Sequence, residues 1–173
     1  VGSKTLKTYE EYISSFEEDD DDGEYKVYKK FITASPAILR VFLEILSNAV
    51  DNVERSRKAK ISCTAIKVNI NKETGETSVW NDGDIIPIEM HPEEKMYNHT
   101  LIFGHLLTGS NYDDTEEREI SGLNGLGCKL CNVFSTKFVV KGLDPNNKKT
   151  FEQTWTNNMK SPEKPIVKST TLK

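Results

Sequence analysis

The sequence has no apolar run long enough to cross a bilayer and no secretory or lipidation pattern, so nothing in it supports a membrane-spanning or lipid-anchored reading. Cysteine is scarce. Cys63, Cys128 and Cys131 are odd in number and unevenly spaced, which argues against a disulfide framework and suits a reducing compartment. Cys128 and Cys131 form a C-x-x-C pair, but a structural zinc site needs four ligands, and Cys63, His91, His99 and His105 supply no second pair at suitable spacing. The cysteines are therefore read as packing residues and the histidines as surface or satisfied core residues. Basic excess is also missing: 23 Lys and Arg stand against 27 Asp and Glu, which argues against this chain itself gripping duplex nucleic acid. The acidic run Glu17 to Asp22 lacks the alternating ligands and terminal glutamate of a calcium loop, and reads as a solvated connection between short elements around Tyr9–Phe16 and Tyr25–Ile32.

With 173 residues, 36% of them hydrophobic, the chain can bury one core, so a single domain over residues 1–173 is expected, with a polar, lysine-rich tail at 157–173 that frays. Alternation of Ile66, Val68 and Ile70, turn chemistry at Asn71–Glu76 and a return strand at Ser78–Trp80 predict one hairpin. Thr136–Lys141 and Thr150–Thr156 predict another around Asp144-Pro145-Asn146-Asn147.

The most informative stretch is EILSNAVDN, Glu44 to Asn52. Ser35 before Pro36 suits an N-cap and first helical residue, and the apolar residues from Ala37 to Val53 cover most of a helix circumference, which predicts a largely buried helix over Pro36–Val53. Its C-terminal end is unmarked, because no glycine interrupts the basic stretch Glu54 to Lys60. Glu44, Asn48, Asp51 and Asn52 share one face of it, at about 100° per residue. Such a face can offer a carboxylate to activate a water and an amide oxygen to a hard cation such as magnesium. The plain alternative is a solvated polar stripe, which Asp51 and Asn52 alone would suggest.

Two further stretches gain weight from that face. Asn81-Asp82-Gly83 follows the first hairpin, where glycine permits close approach or positive φ; alone it would be an ordinary turn. The run Ser121 to Leu130 places Gly122, Gly125 and Gly127 ahead of Lys129 at the start of an apolar helical pattern, which makes an anion site suited to phosphate. It fits neither the P-loop nor the dinucleotide glycine spacing, and alone it would read as a surface loop.

In this order the segments resemble the ATP-binding domain of type IIA DNA topoisomerases of the eukaryotic type, within the GHKL ATPase superfamily. The runs Ile102–Asp114 and Asn124–Phe138 carry that resemblance, which extends from Val1-Gly2-Ser3 to Phe151–Trp155. It implies an α+β fold of two layers, with helices on one face of a mixed, mostly antiparallel sheet, and ATP held with Mg²⁺ between the Glu44 helix and the glycine lid. Glu44 is then the general base and Asn48 the Mg²⁺ ligand. Asn81 meets the adenine amino group, Gly109, Ser110 and Asn111 lie near ribose and phosphates, and Gly122, Leu123, Asn124, Gly125, Leu126, Gly127, Cys128 and Lys129 form the lid. Asp51 and Asn52 complete the ATP-binding set. The resemblance further implies a homodimer of the full-length enzyme closing a gate, duplex DNA handled by other domains, and a nuclear location in a cellular eukaryote or otherwise an intracellular one. The segment is expected to begin after the family's N-terminal strap and to end before the transducer domain, whose lysine reaches the γ-phosphate, so that alone it hydrolyses ATP weakly.

Departures from the family pattern are Ile85 for a second turn glycine, Gly109 for serine, Leu123 for arginine, Leu126 for tyrosine and Cys128 for alanine. They are expected to alter affinity or selectivity while nucleotide binding survives. Another GHKL protein, or a degenerate, non-catalytic interaction domain, are the alternative readings.

Overall fold

The computed structural model describes residues 5–15, 26–105 and 127–172. Gly109, Ser110, Asn111, Gly122, Leu123, Asn124, Gly125 and Leu126, and the acidic run Glu17 to Asp22, lie outside them. The chain divides into two compact units, Val1–Arg40 and Val41–Lys173.

The first unit holds strands β1 (Lys7–Ser15) and β2 (Lys26–Ala34), paired antiparallel from Lys7 opposite Ala34 to Ser15 opposite Lys26. Cross-strand partners fix the register: the hydroxyls of Thr8 and Thr33 are 2.7 Å apart, and Lys29 Nζ donates to Glu10 Oε2 at 2.9 Å.

The unit boundary falls inside helix α1 (Pro36–Lys58). Ser35 opens α1, its carbonyl accepting from the amides of Ile38 and Leu39. The helix runs five residues past Val53, the end expected from sequence. Its stop is a Schellman motif without glycine: Ile61 N donates to Ser56 O, Lys60 N donates to Arg57 O, and Lys60 takes φ 58°. Arg55, Arg57 and Lys58 in the last turn complement the helix dipole.

The expectation of a largely buried α1 is overturned. Ile38, Leu39, Leu43, Val50 and Val53 are exposed, Ile38 by 74%, whereas Ala37, Ala49, Asn52 and Ser56 are buried. An apolar circumference raises the tendency to be buried but does not choose the face, and hydrogen bonding by Asn52 and Ser56 turns their side inward.

In the second unit, β3 (Ile66–Ile70) and β4 (Thr77–Asn81) form the first hairpin as the alternation predicts. Asn71 Oδ1 accepts from the amides of Glu73 and Thr74, and Gly75 takes φ 71°. Helices α2 (Asn98–Gly104) and α3 (Gly127–Phe134) precede β5 (Lys137–Asp144) and β6 (Lys149–Thr156), the second expected hairpin. The tail pairs rather than frays. Strands β7 (Ser161–Pro162) and β8 (Ile166–Ser169) both add to β6. Among the described residues every ladder is antiparallel, and the strands fall into three sheets rather than one.

The core lies on the β5–β6–β8 sheet, where Ile88, Val140, Phe151 and Trp155 are buried with Tyr97, Phe103, Phe138, Met159 and Val167 packed around them. Gly104 at the end of α2 lies so near the Trp155 indole that a Cβ would fall 2.7 Å from Nε1. Asp144, fully buried, ties the β5–β6 turn to this core. Its carboxylate accepts from Ile88 N at 2.9 Å and from both the amide and the side chain of Asn147. Burial pushes its pKa up, but the Asn147 and Ile88 amides outweigh that and hold it below the usual carboxylate range.

Candidate functional site

Two clusters stand on α1, eight residues apart and therefore about 12 Å along its axis. The first joins Glu44 to the start of α3. Glu44 is half-buried, and a Cβ on Gly127 would run into its Oε2, with its Cβ and Cδ at 3.0 and 3.1 Å. A glycine here has a spatial reason, since a side chain would displace Glu44. The carboxylate that the sequence singles out thus lies against the last glycine of the lid run. Asn48, one turn on, is exposed, and Asp51 is half-buried.

Lys129 is half-buried within the same helix start. Cys128 is buried, its Sγ donating to Ile102 O at 3.5 Å, and burial pushes its thiol pKa up. Below it, the fully buried Asn132 donates to Phe103 O at 3.0 Å. These contacts join α3 to α2.

The second cluster ties α1 to the turn after β4. Asn52 Nδ2 donates to Asn81 Oδ1 at 2.7 Å and to Asp84 O at 2.9 Å, while Asn52 Oδ1 accepts from Arg55 Nε at 3.1 Å. Ser56 Oγ donates to Asn52 O at 2.6 Å and accepts from Asp84 N at 2.7 Å. A Cβ on Gly83 would lie 2.6 Å from Ser56 Oγ, 2.8 Å from Asn52 Nδ2 and 2.9 Å from Cys63 Sγ. Gly83 is not at positive φ, so its use is the close approach, and what approaches is α1.

Asp82 points the other way. Its carboxylate accepts from the Thr64 hydroxyl and from the amides of Thr64 and Ala65 at 2.9 Å, and these bonds, the hydroxyl first, hold its pKa far below the usual carboxylate range. Asp82 therefore anchors the turn and leaves Asn81 as the polar side chain aimed at α1. Ile85, where the family pattern has glycine, is not at positive φ and its amide donates to Asp84 Oδ1 at 2.9 Å, so the departure costs no backbone strain.

Sequence reasoning missed Ser56, Arg55 and Thr64. A signal existed for Ser56, which continues the i+4 ladder of Glu44, Asn48 and Asn52. His99 departs from its expected satisfied state: it is buried, stacks on Phe151 with ring centroids 4.5 Å apart, and its Nδ1 has no hydrogen-bond partner among the described residues. Burial pushes its pKa down to about 4, against the pull of Asp144.

Comparison with known proteins identifies the family and the fold. The family described as histidine kinase-, DNA gyrase B-, and HSP90-like ATPase matches residues 33–155. A DNA topoisomerase 2 of Invertebrate iridescent virus 6 is 40% identical over the whole chain, which spans 16% of that relative, and one of Bombyx mori is 50% identical over 77% of the chain, which spans 8% of it. Among solved structures, the ATPase region of Saccharomyces cerevisiae topoisomerase II superposes with a TM-score of 0.81 at 40% identity, covering 96% of this chain and 42% of that one. The ATPase and transducer domains of Balamuthia mandrillaris DNA topoisomerase II give 0.83 at 37% identity, covering 97% and 40%. The family match over residues 33–155, the 40–50% identity to these relatives and the shared α+β architecture together assign the chain to the histidine kinase-, DNA gyrase B- and HSP90-like ATPase family, among the ATPase domains of type II DNA topoisomerases.

Proposed function

We propose that this domain binds ATP with Mg²⁺ and hydrolyses it, as the nucleotide-driven part of a type II DNA topoisomerase. The observation that carries this reading is the contact between Glu44 and Gly127, which brings a half-buried carboxylate to the N-terminus of α3, where a developing negative charge is stabilised by the helix dipole. In this reading Glu44 orients and deprotonates the water that attacks the γ-phosphate. Lys129 adds positive charge at the lid, and the amides that open α3 receive phosphate oxygens. Asn81 meets the base two helical turns away, held by Asn52.

The donor set suits magnesium. It takes few protein ligands, prefers oxygen and keeps several waters, and the exposed amide of Asn48, one turn from Glu44, offers one oxygen toward the same side. A magnesium ion held there by Asn48 would supply positive charge to offset the phosphates. Gly109, Ser110, Asn111, Gly122, Leu123, Asn124, Gly125 and Leu126 complete the nucleotide contacts in this proposal.

The chain spans a small part of its relatives, so strand passage belongs to the parent enzyme: ATP closes a gate by dimerising two such domains, and hydrolysis reopens it while other domains hold the DNA. Titration calorimetry with a non-hydrolysable ATP analogue tests the site. Saturable 1:1 binding that weakens without Mg²⁺ supports the reading, and no heat in the presence of Mg²⁺ overturns it in favour of a non-catalytic interaction domain.

A further inference from the structure

Three consecutive non-glycine residues, Asn157, Asn158 and Met159, take φ of 53°, 57° and 69° in the turn between β6 and β7. Side chains disfavour this left-handed region, asparagine least, so a run of three persists only where its surroundings hold it. Asn157 N donates to Thr136 O at 3.0 Å, Lys160 N donates to Asn157 O at 3.2 Å, and Met159 packs on the core. Glycine would relieve the strain at each position. What glycine could not supply is the side chain of Asn158, whose Nδ2 donates to Val133 O at 2.9 Å.

Val133 lies in the last turn of α3, where carbonyls have no partner within the helix. Ser135 takes two of its neighbours, its hydroxyl donating to Cys131 O at 2.7 Å and its amide to Asn132 O at 3.2 Å. Asn158 takes Val133 O from 25 residues away. The side chain of Asn132 ties the same turn to Phe103 O of α2. One such bond leaves a two-turn helix free to swing about it; a second, to a different element, fixes its direction. Gly127 stands at the other end of α3, about 9 Å from this turn, so a tilt of about 6° here carries Gly127 about 1 Å past Glu44.

We propose that Asn158 is a positioning residue for ATP hydrolysis: by capping α3 at Val133 it sets where Gly127, at the opposite end, meets the Glu44 carboxylate. This rests on the reading of Glu44 as the general base. Asn158 touches no nucleotide in this account. Its effect passes through α3, and the left-handed turn aims its amide at the helix end.

The test compares wild type, Asn158→Gly and Asn157→Gly in single-turnover hydrolysis of ATP with Mg²⁺, in binding of a non-hydrolysable ATP analogue and in thermal melting. Both substitutions put glycine at a left-handed position, so both keep the fold and melt near wild type. Asn158→Gly loses the cap and is expected to cleave ATP about tenfold more slowly, with the dissociation constant changed by less than about threefold. The Asn157 side chain makes no hydrogen bond among the described residues, and Asn157→Gly is expected to keep the wild-type rate. Because Asn158 acts on the Gly127–Glu44 contact, Asn158→Gly is expected to add less than about threefold to the slowing caused by Gly127→Ala. An unchanged rate in Asn158→Gly, or slowing that multiplies in full in the double variant, overturns the inference. Equal slowing in Asn157→Gly overturns it as well, since the turn would then be merely structural. If wild type does not cleave ATP, the reading of Glu44 itself fails and this inference falls with it.

Discussion

The carboxylate of Glu44 occupies the space that a Cβ on Gly127 would need. Two residues 83 positions apart are thus in direct contact, one on a long helix and the other at the first position of a short one. This relationship makes Gly127 a spacer whose size sets where the carboxylate sits.

Gly127→Ala separates that role from stability. Gly127 opens α3 and the atom a Cβ would meet first is the flexible end of the Glu44 side chain, so the melting temperature is expected to stay near wild type. The Glu44 carboxylate must move, and a displacement of this order is expected to slow ATP hydrolysis by up to about 100-fold. Melting curves beside single-turnover assays check both halves.

Gly83→Ala has the opposite balance. A Cβ there meets the buried side chains of Ser56 and Asn52, which are held by their own hydrogen bonds and cannot swing away. A loss of about 1–3 kcal/mol is expected from overpacking. Ser56→Ala leaves Asp84 N without its acceptor, and a loss of about 1–3 kcal/mol is expected for that reason. Denaturant titrations measure each.

His99 makes stability depend on pH. Its folded pKa of about 4 lies below the ordinary 6.5, so the unfolded chain binds the proton more readily. Stability from keeping His99 neutral is complete above about pH 6.5 and is lost as pH falls toward 4, by up to about 3 kcal/mol. The slope of unfolding free energy against pH in this window is expected to be shallower in His99→Gln than in wild type.

How far the sequence could be read depended on whether a feature was local. The two hairpins followed from alternation and from Gly75 and the Asp144–Asn147 turn, and the shared face of Glu44, Asn48 and Asn52 followed from helical spacing alone. The inward side of α1 did not, because the partners that bury Asn52 and Ser56 lie about 30 residues away in the Asn81–Asp84 turn. Lys60 ended α1 in a conformation that its identity does not advertise. The pairing of residues 161–169 with β6 was hidden behind a polar composition, since an edge strand needs backbone groups more than apolar side chains.

The role of Glu44 is the claim on which the rest depends, and single-turnover hydrolysis of γ-labelled ATP by Glu44→Gln beside wild type tests it most directly. The glutamine keeps the shape and contacts of the side chain but cannot take a proton. Slow hydrolysis by wild type, at least about 100-fold slower in Glu44→Gln at an unchanged dissociation constant for ATP, is the expected result. Equal rates in the two proteins would contradict it.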